Sequence, residues 1–154
     1  MVGSKKVLLL CAIYYILCAA LTGCGPTYPK KDVKEAVVKI CAQEYGANVK
    51  VETAGRTMSI YLPLSGLMDY SFNLTKPASE KINNVIFTAA RVTLSTDAKF
   101  DFYCVIAHDI KMPELQIIII KNVEDVRRLF ASDISRGEYM KRVLIDLRWS
   151  PQAK

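Results

Sequence analysis

The chain has 154 residues, 51% of them apolar, and a formal net charge of +6. That length holds one domain of ordinary size with a core of its own. The basic excess is mild and falls short of the dense positive footprint that nucleic-acid binding needs.

The first 24 residues fall into three zones. Met1 to Lys6 is short and basic, with Lys5 and Lys6, and Val7 to Ala20 is apolar. Leu21-Thr22-Gly23-Cys24 follows, and Gly25-Pro26 then breaks any helix. A positive start, an apolar stretch and small residues before a cut site predict a secretory signal. The apolar run is shorter than the roughly 20 residues a membrane-spanning helix needs.

Leu21-Thr22-Gly23-Cys24 resembles the lipobox of bacterial lipoproteins. That resemblance implies cleavage between Gly23 and Cys24, lipid on the Cys24 sulfur, and export to a membrane surface. Two or more acyl chains hold a protein stably, at about 0.8 kcal/mol per buried methylene. Gly25 stands where an Asp would imply inner-membrane retention, so the resemblance favours the periplasmic face of the outer membrane in a two-membrane cell. In a single-membrane cell the same signal implies the outer face of the cytoplasmic membrane.

Loss of residues 1–23 would leave 131 of the 154 residues. Lys5 and Lys6 would go with them, so 21 basic residues become 19 against 15 acidic ones. Cys11 and Cys18 would leave too, and Cys24 would carry lipid. Cys41 and Cys104 then remain, with two readings open: a disulfide that export permits, or two buried small hydrophobes. Cys41 reads as a helix-face residue and Cys104 as a strand residue facing the core. Packed layers lie about 10 Å apart, whereas a disulfide needs Cα atoms within about 7 Å.

Beyond the cut, residues 24–31 read as the lipidated cysteine and a short tether with two prolines, and 32–149 as a single domain before a 150–154 tail. Asp32 to Tyr45 has Val33, Val37, Ile40 and Cys41 at helical spacing, and Gly46 ends it. Asn48 to Thr53 and Thr57 to Leu62 each alternate and flank Ala54-Gly55-Arg56, which predicts a hairpin. A second helix starts near Pro77, with an apolar stripe of Ile82, Val85, Ile86, Ala89 and Val92. Lys99 to Asp109 reads as a strand with Phe100, Phe102, Cys104 and Ile106 on one face. Leu115 to Ile120 is almost wholly apolar, as in a central strand covered on both sides. Val123 to Phe130 reads as a short helix. Ser135 and Glu138 fit a capping box for a last helix with Met140, Val143, Leu144 and Leu147 on its core face.

The expected fold is therefore α+β: a two-layer sheet-and-helix domain of order αββ-αββ-α(α) built on antiparallel hairpins, with the terminal helices a candidate cover for the sheet's second face. This order resembles the BON domain, which implies association with phospholipid or protein partners in the cell envelope. The segment from Ser135 to Tyr139, Ser-Arg-Gly-Glu-Tyr, is similar to one in small uncharacterised bacterial lipoproteins.

Candidate chemistry is sparse. His108 is the lone histidine, and Cys104 lies about 13 Å away along one strand at roughly 3.3 Å per residue. That separation is too long for a direct hydrogen bond or a shared metal. Asp97, Asp101 and Asp109 lack the spacing and the glycine of a calcium loop and read as solvated carboxylates. No phosphate-cradling glycine loop, nucleophile elbow or zinc-ligand pattern is present, and no metal or cofactor is expected. Lys30, Lys31 and Lys34 form a basic cluster close to the lipid that could lie on an anionic surface. Leu64 to Leu74 is rich in large apolar groups, so it either caps the core or offers a contact patch. In the contact reading Leu67, Met68, Tyr70 and Phe72 are the candidate partner-binding residues. Together these readings predict a non-catalytic, membrane-tethered envelope lipoprotein that docks another protein. A lipoprotein binding a small ligand or lipid is the alternative, and a hydrolase the remotest reading.

Overall fold

The computed structural model describes residues 27–149. The signal segment with Gly23 and Cys24, and the 150–154 tail, lie outside the described residues. A single 3-10 turn (Lys30–Asp32) leads into helix α1 (Val33–Tyr45), strands β1 (Lys50–Ala54) and β2 (Thr57–Leu64), and helix α2 (Lys76–Leu94). Strands β3 (Phe102–Asp109) and β4 (Leu115–Asn122), helices α3 (Val123–Phe130) and α4 (Arg136–Arg142), and strand β5 (Leu144–Trp149) complete the order.

The boundaries have local causes. Gly46 takes φ +58 and donates its N–H to Ala42 O, which closes α1 in the left-handed conformation glycine tolerates best. The Thr75 Oγ1 accepts from Ala78 N to cap α2, and Pro77 sits in the first turn, where its missing N–H costs nothing. Asn122 caps α3 by accepting from Glu124 N and Asp125 N.

The strands form one five-stranded sheet in chain order. Neighbours are antiparallel except β2 and β3, which run parallel because α2 carries the chain back between them. Met58, Ile60 and Leu62 of β2, Tyr103, Val105 and Ala107 of β3, and Ile117 and Ile119 of β4 share one face of this α+β domain. They pack under Val37, Cys41, Ile82, Val85, Ala89 and Val92 of the first two helices. Each fully buried Val, Leu, Ile or Met among them contributes about 1.5–3 kcal/mol by leaving water. Arg91 adds a two-pronged bond to Glu44, at 3.2 and 2.9 Å, that ties α2 to α1.

Four expectations need correction. The last helix stops at Arg142, and Leu144–Trp149 is a strand paired antiparallel with β4. Of its expected core face, Met140, Leu144 and Leu147 are exposed, while Tyr139 is buried in their place. In β3 the face that enters the core is Tyr103, Val105 and Ala107, so Phe102, Cys104 and Ile106 point to the opposite side. The terminal helices do not cover that side: Val126, Ile134 and Tyr139 join the same core as α1 and α2. Finally, β4 is fully covered on one face alone, with Ile118 and Ile120 half-buried on the other.

Candidate functional site

The segment from Ser65 to Thr75 is a braced tip, and Asp109 holds its base. The carboxylate of Asp109 is 3% exposed and accepts from Leu67 N at 2.7 Å, Lys111 N at 2.8 Å and Met112 N at 3.3 Å. Burial pushes its carboxyl up, but the backbone N–H groups of Leu67, Lys111, Met112 and Gly66 together outweigh burial and hold it below its ordinary value. The expectation of a solvated strand-end carboxylate therefore fails for Asp109. Its side chain leaves the strand toward the helix layer, where loop amides converge on it. Asp97 and Asp101 are engaged at the far end of β3, accepting from Lys30 N and pairing with Arg56.

Above Asp109 the tip closes on itself. Thr75 N donates to Leu67 O and Thr75 Oγ1 donates to Gly66 O. Met68 and Leu74 make an antiparallel bridge, and Asp69 Oδ1 accepts from Ser71 N and Asn73 N. Leu67 is completely buried and Met68 partly so; these two cap the core. Tyr70 and Phe72 do the reverse, Tyr70 fully exposed and Phe72 60% exposed. Phe72 sits at φ +57, a region a bulky side chain enters at a cost and keeps only where its surroundings hold it. The turn around Asp69 is that support, so one loop contains both a cap and a displayed aromatic pair.

The Phe72 ring lies 5.8 Å from the Trp149 ring, tilted by 32°. Trp149 is the single tryptophan of the chain and ends β5. Ile145 and Leu147 are in register with the buried Ile119 and Ile117, yet stand 62% and 53% exposed, because no helix among the described residues reaches over β5. Tyr70, Phe72, Trp149, Leu147 and Ile145 thus make an apolar rim along one end and one edge of the sheet. Sequence reasoning found the tip from its large apolar side chains. It missed β5 because that strand was read as helix.

Cys41 and Cys104 are both free thiols. Cys41 belongs to the core under α1, whereas Cys104 leaves β3 on the sheet face away from the helices. The bridge considered from the sequence is therefore not made, and the premise that Cys104 faces the core fails with it. Burial pushes both thiols above their ordinary value, an effect Thr88 partly offsets at Cys41 and Arg148 at Cys104. His108 stands on the same bare face, in a shallow groove with Tyr61, Pro63 and Glu52.

At the opposite end, Tyr28 N donates to Ser95 O and Lys30 N to Asp97 Oδ1, so the chain leading to α1 is fastened to the loop before β3. Lys30, Lys31, Lys34, Arg56 and Lys99 line a cleft of about 520 Å³ there. The Ser135–Tyr139 segment has a packing role. Ser135 Oγ accepts from Glu138 N, Glu138 pairs with Arg142, and Arg142 reaches Asp125 of α3. Tyr139 drops into the core, and Lys121 Nζ lies 5.1 Å from the centre of its ring. Burial, with Tyr139 beside it, pushes the Tyr103 hydroxyl far above its ordinary range, and burial lowers Lys121.

Among the described residues, no group of three or more His, Cys, Asp or Glu side chains is placed to hold a metal ion, and no helix is long and apolar enough to cross a membrane. The chain matches no protein-family model, and comparison with curated proteins and with solved structures returns no match.

Proposed function

We propose that the chain is a non-catalytic lipoprotein, held to a membrane by lipid on Cys24, that docks an envelope protein on its Tyr70–Phe72 tip. The observation that carries the docking half is the tip itself, with Tyr70 held clear of the surface and Phe72 set against Trp149 by a turn whose backbone is bonded on itself and to buried Asp109. Aromatic groups fixed in advance lose little conformational freedom on binding, which is why they serve as interface anchors.

The tether half rests on the lipobox resemblance of residues 21–24 and on the basic end of the domain. Tyr28 is already fastened, so four peptide steps from Cys24 span at most about 14 Å. A domain held that close would set Lys30, Lys31, Lys34 and Lys99 near the headgroups. Each charge there contributes about 1 kcal/mol on an anionic surface. Gly25 favours the outer membrane of a two-membrane cell.

Growth with labelled palmitate tests the anchor. The native chain is expected to take up label and fractionate with membranes, and Cys24→Ala to lose both. Label that persists in Cys24→Ala contradicts the assignment of that cysteine.

A further inference from the structure

The edge strand β5 lacks several of the features that usually keep a sheet edge single, and its charges are one Asp146–Arg148 pair confined to one face. It contains no lysine, no proline and no bulge, and its six residues pair in unbroken register with β4. The other edge, β1, is five residues long and is marked by the Lys50–Glu52 ion pair. The outer side of β5 meets no further strand among the described residues. On its helix side it shows Ile145, Leu147 and Trp149, and on the other side Asp146 and Arg148, paired with each other at 2.7 Å.

Ile145-Asp146-Leu147-Arg148-Trp149, the last five residues of β5, is self-complementary when read against its own reverse. Two copies related by a two-fold axis pair antiparallel around one residue that faces itself. Centring on Asp146 sets acid against acid, and centring on Arg148 sets base against base. Centring on Leu147 places Asp146 of each copy opposite Arg148 of the other. The same register sets Leu147 against Leu147 and Ile145 against Trp149, so polar pairs fall on one face and apolar pairs on the other. Directly opposed residues of this kind are the unit of sheet stabilisation.

We propose that β5 pairs antiparallel with β5 of a second copy, centred on Leu147, joining two five-stranded sheets into one of ten strands. The occupant of the edge is thus this chain itself, and the surface adjoins the tip through the Phe72–Trp149 contact without including Tyr70. The geometry also suits two tethers in one membrane. Seven strand-to-strand steps lead from β2 of one copy through both β5 strands to β2 of the other. At roughly 20–25° of twist per step, the direction turns by about 150°, which nearly cancels the antiparallel reversal. Both basic ends then point the same way along the two-fold axis.

The test uses the full chain in detergent micelles. Leu147→Cys puts two thiols directly opposite, with Cα atoms about 5 Å apart and within disulfide range. Under mild oxidation it is expected to give a covalent dimer. Val38→Cys, exposed on α1, is expected to behave as the parent chain. Asp146→Arg, which sets arginine against arginine twice, is expected to weaken self-association about tenfold. Asp146→Arg with Arg148→Asp is expected to restore it. Trp149, the only tryptophan, is expected to shift its emission to the blue as concentration rises. Tyr70→Ser is expected to leave all of this unchanged, which separates self-pairing from docking at the tip. A monomer at every concentration, Leu147→Cys no more cross-linked than Val38→Cys, or a double variant no better than Asp146→Arg overturns the proposal.

Discussion

Asp109 ties together two stretches of chain that the β2–β3 pairing sets side by side. Its carboxylate collects amides from 66–67 and from 111–112, so the tip and the β3–β4 turn share one anchor. Asp109→Ala leaves those buried donors unpaired and is expected to cost about 3 kcal/mol in a urea titration. The pH dependence has a definite sign. The folded carboxyl titrates below the ordinary value of 3.8, so the stability it adds is complete above that range and is lost as pH falls through the folded value. The native chain is expected to lose more stability than Asp109→Asn between pH 5 and pH 3, about where carboxylates titrate. The two thiols give a second check at this scale. Cys41 and Cys104 are buried and their thiols are raised, so iodoacetamide is expected to modify neither until urea unfolds the chain. Site-resolved mass spectrometry reads this directly, and rapid labelling of either would contradict the burial described above.

At the scale of elements, the stretch after Ser135 shows what a sequence conveys and what it leaves open. Met140, Val143, Leu144 and Leu147 recur at helical spacing, while Ile145, Leu147 and Trp149 recur at strand spacing, so both periods fit the same residues. The open edge of β4 decides between them. Six residues of β-ladder outweigh a helix extension that would have no groove to fill, and tertiary context overrides the local pattern. The two readings assign different costs to truncation. Tyr139→Ala, in the core, is expected to lose about 3–5 kcal/mol, and Met140→Ala, on the exposed side of α4, well under 1. Urea titrations of the two variants check this, and similar losses would restore the long helix. The first hairpin and the first two helices were legible because Gly46, Gly55 and Pro77 mark their ends. In β3 the alternation was legible but its polarity was not. Phe102, Cys104 and Ile106 are as apolar as Tyr103, Val105 and Ala107, so composition gave no preference between the faces. The Leu64–Leu74 segment was legible as unusual. That it divides into buried Leu67 and displayed Tyr70 and Phe72 depends on a backbone turn set by Asp69, which no periodicity encodes.

At the scale of the fold, the helices among the described residues lie on one side of the sheet. The free surfaces among those residues are the bare sheet face, the β5 edge and the Tyr70–Phe72 tip. The basic end with Lys30, Lys31 and Lys34 lies where the chain enters the domain, and the tip lies at the other end of β2 and β3. A lipid on Cys24 would hold the first end down and turn the second outward. That polarity is what the proposed tethered docking function requires. The most direct measurement is photo-cross-linking in intact cells with a benzophenone side chain in place of Tyr70, on a bait whose acylation and folding are checked in the same sample. The expected result is one dominant adduct with an envelope protein, lost when Phe72→Ser is added and absent when the probe replaces exposed Phe87 on α2. No adduct from an acylated, folded bait, or the same adducts from both positions, would contradict docking at the tip.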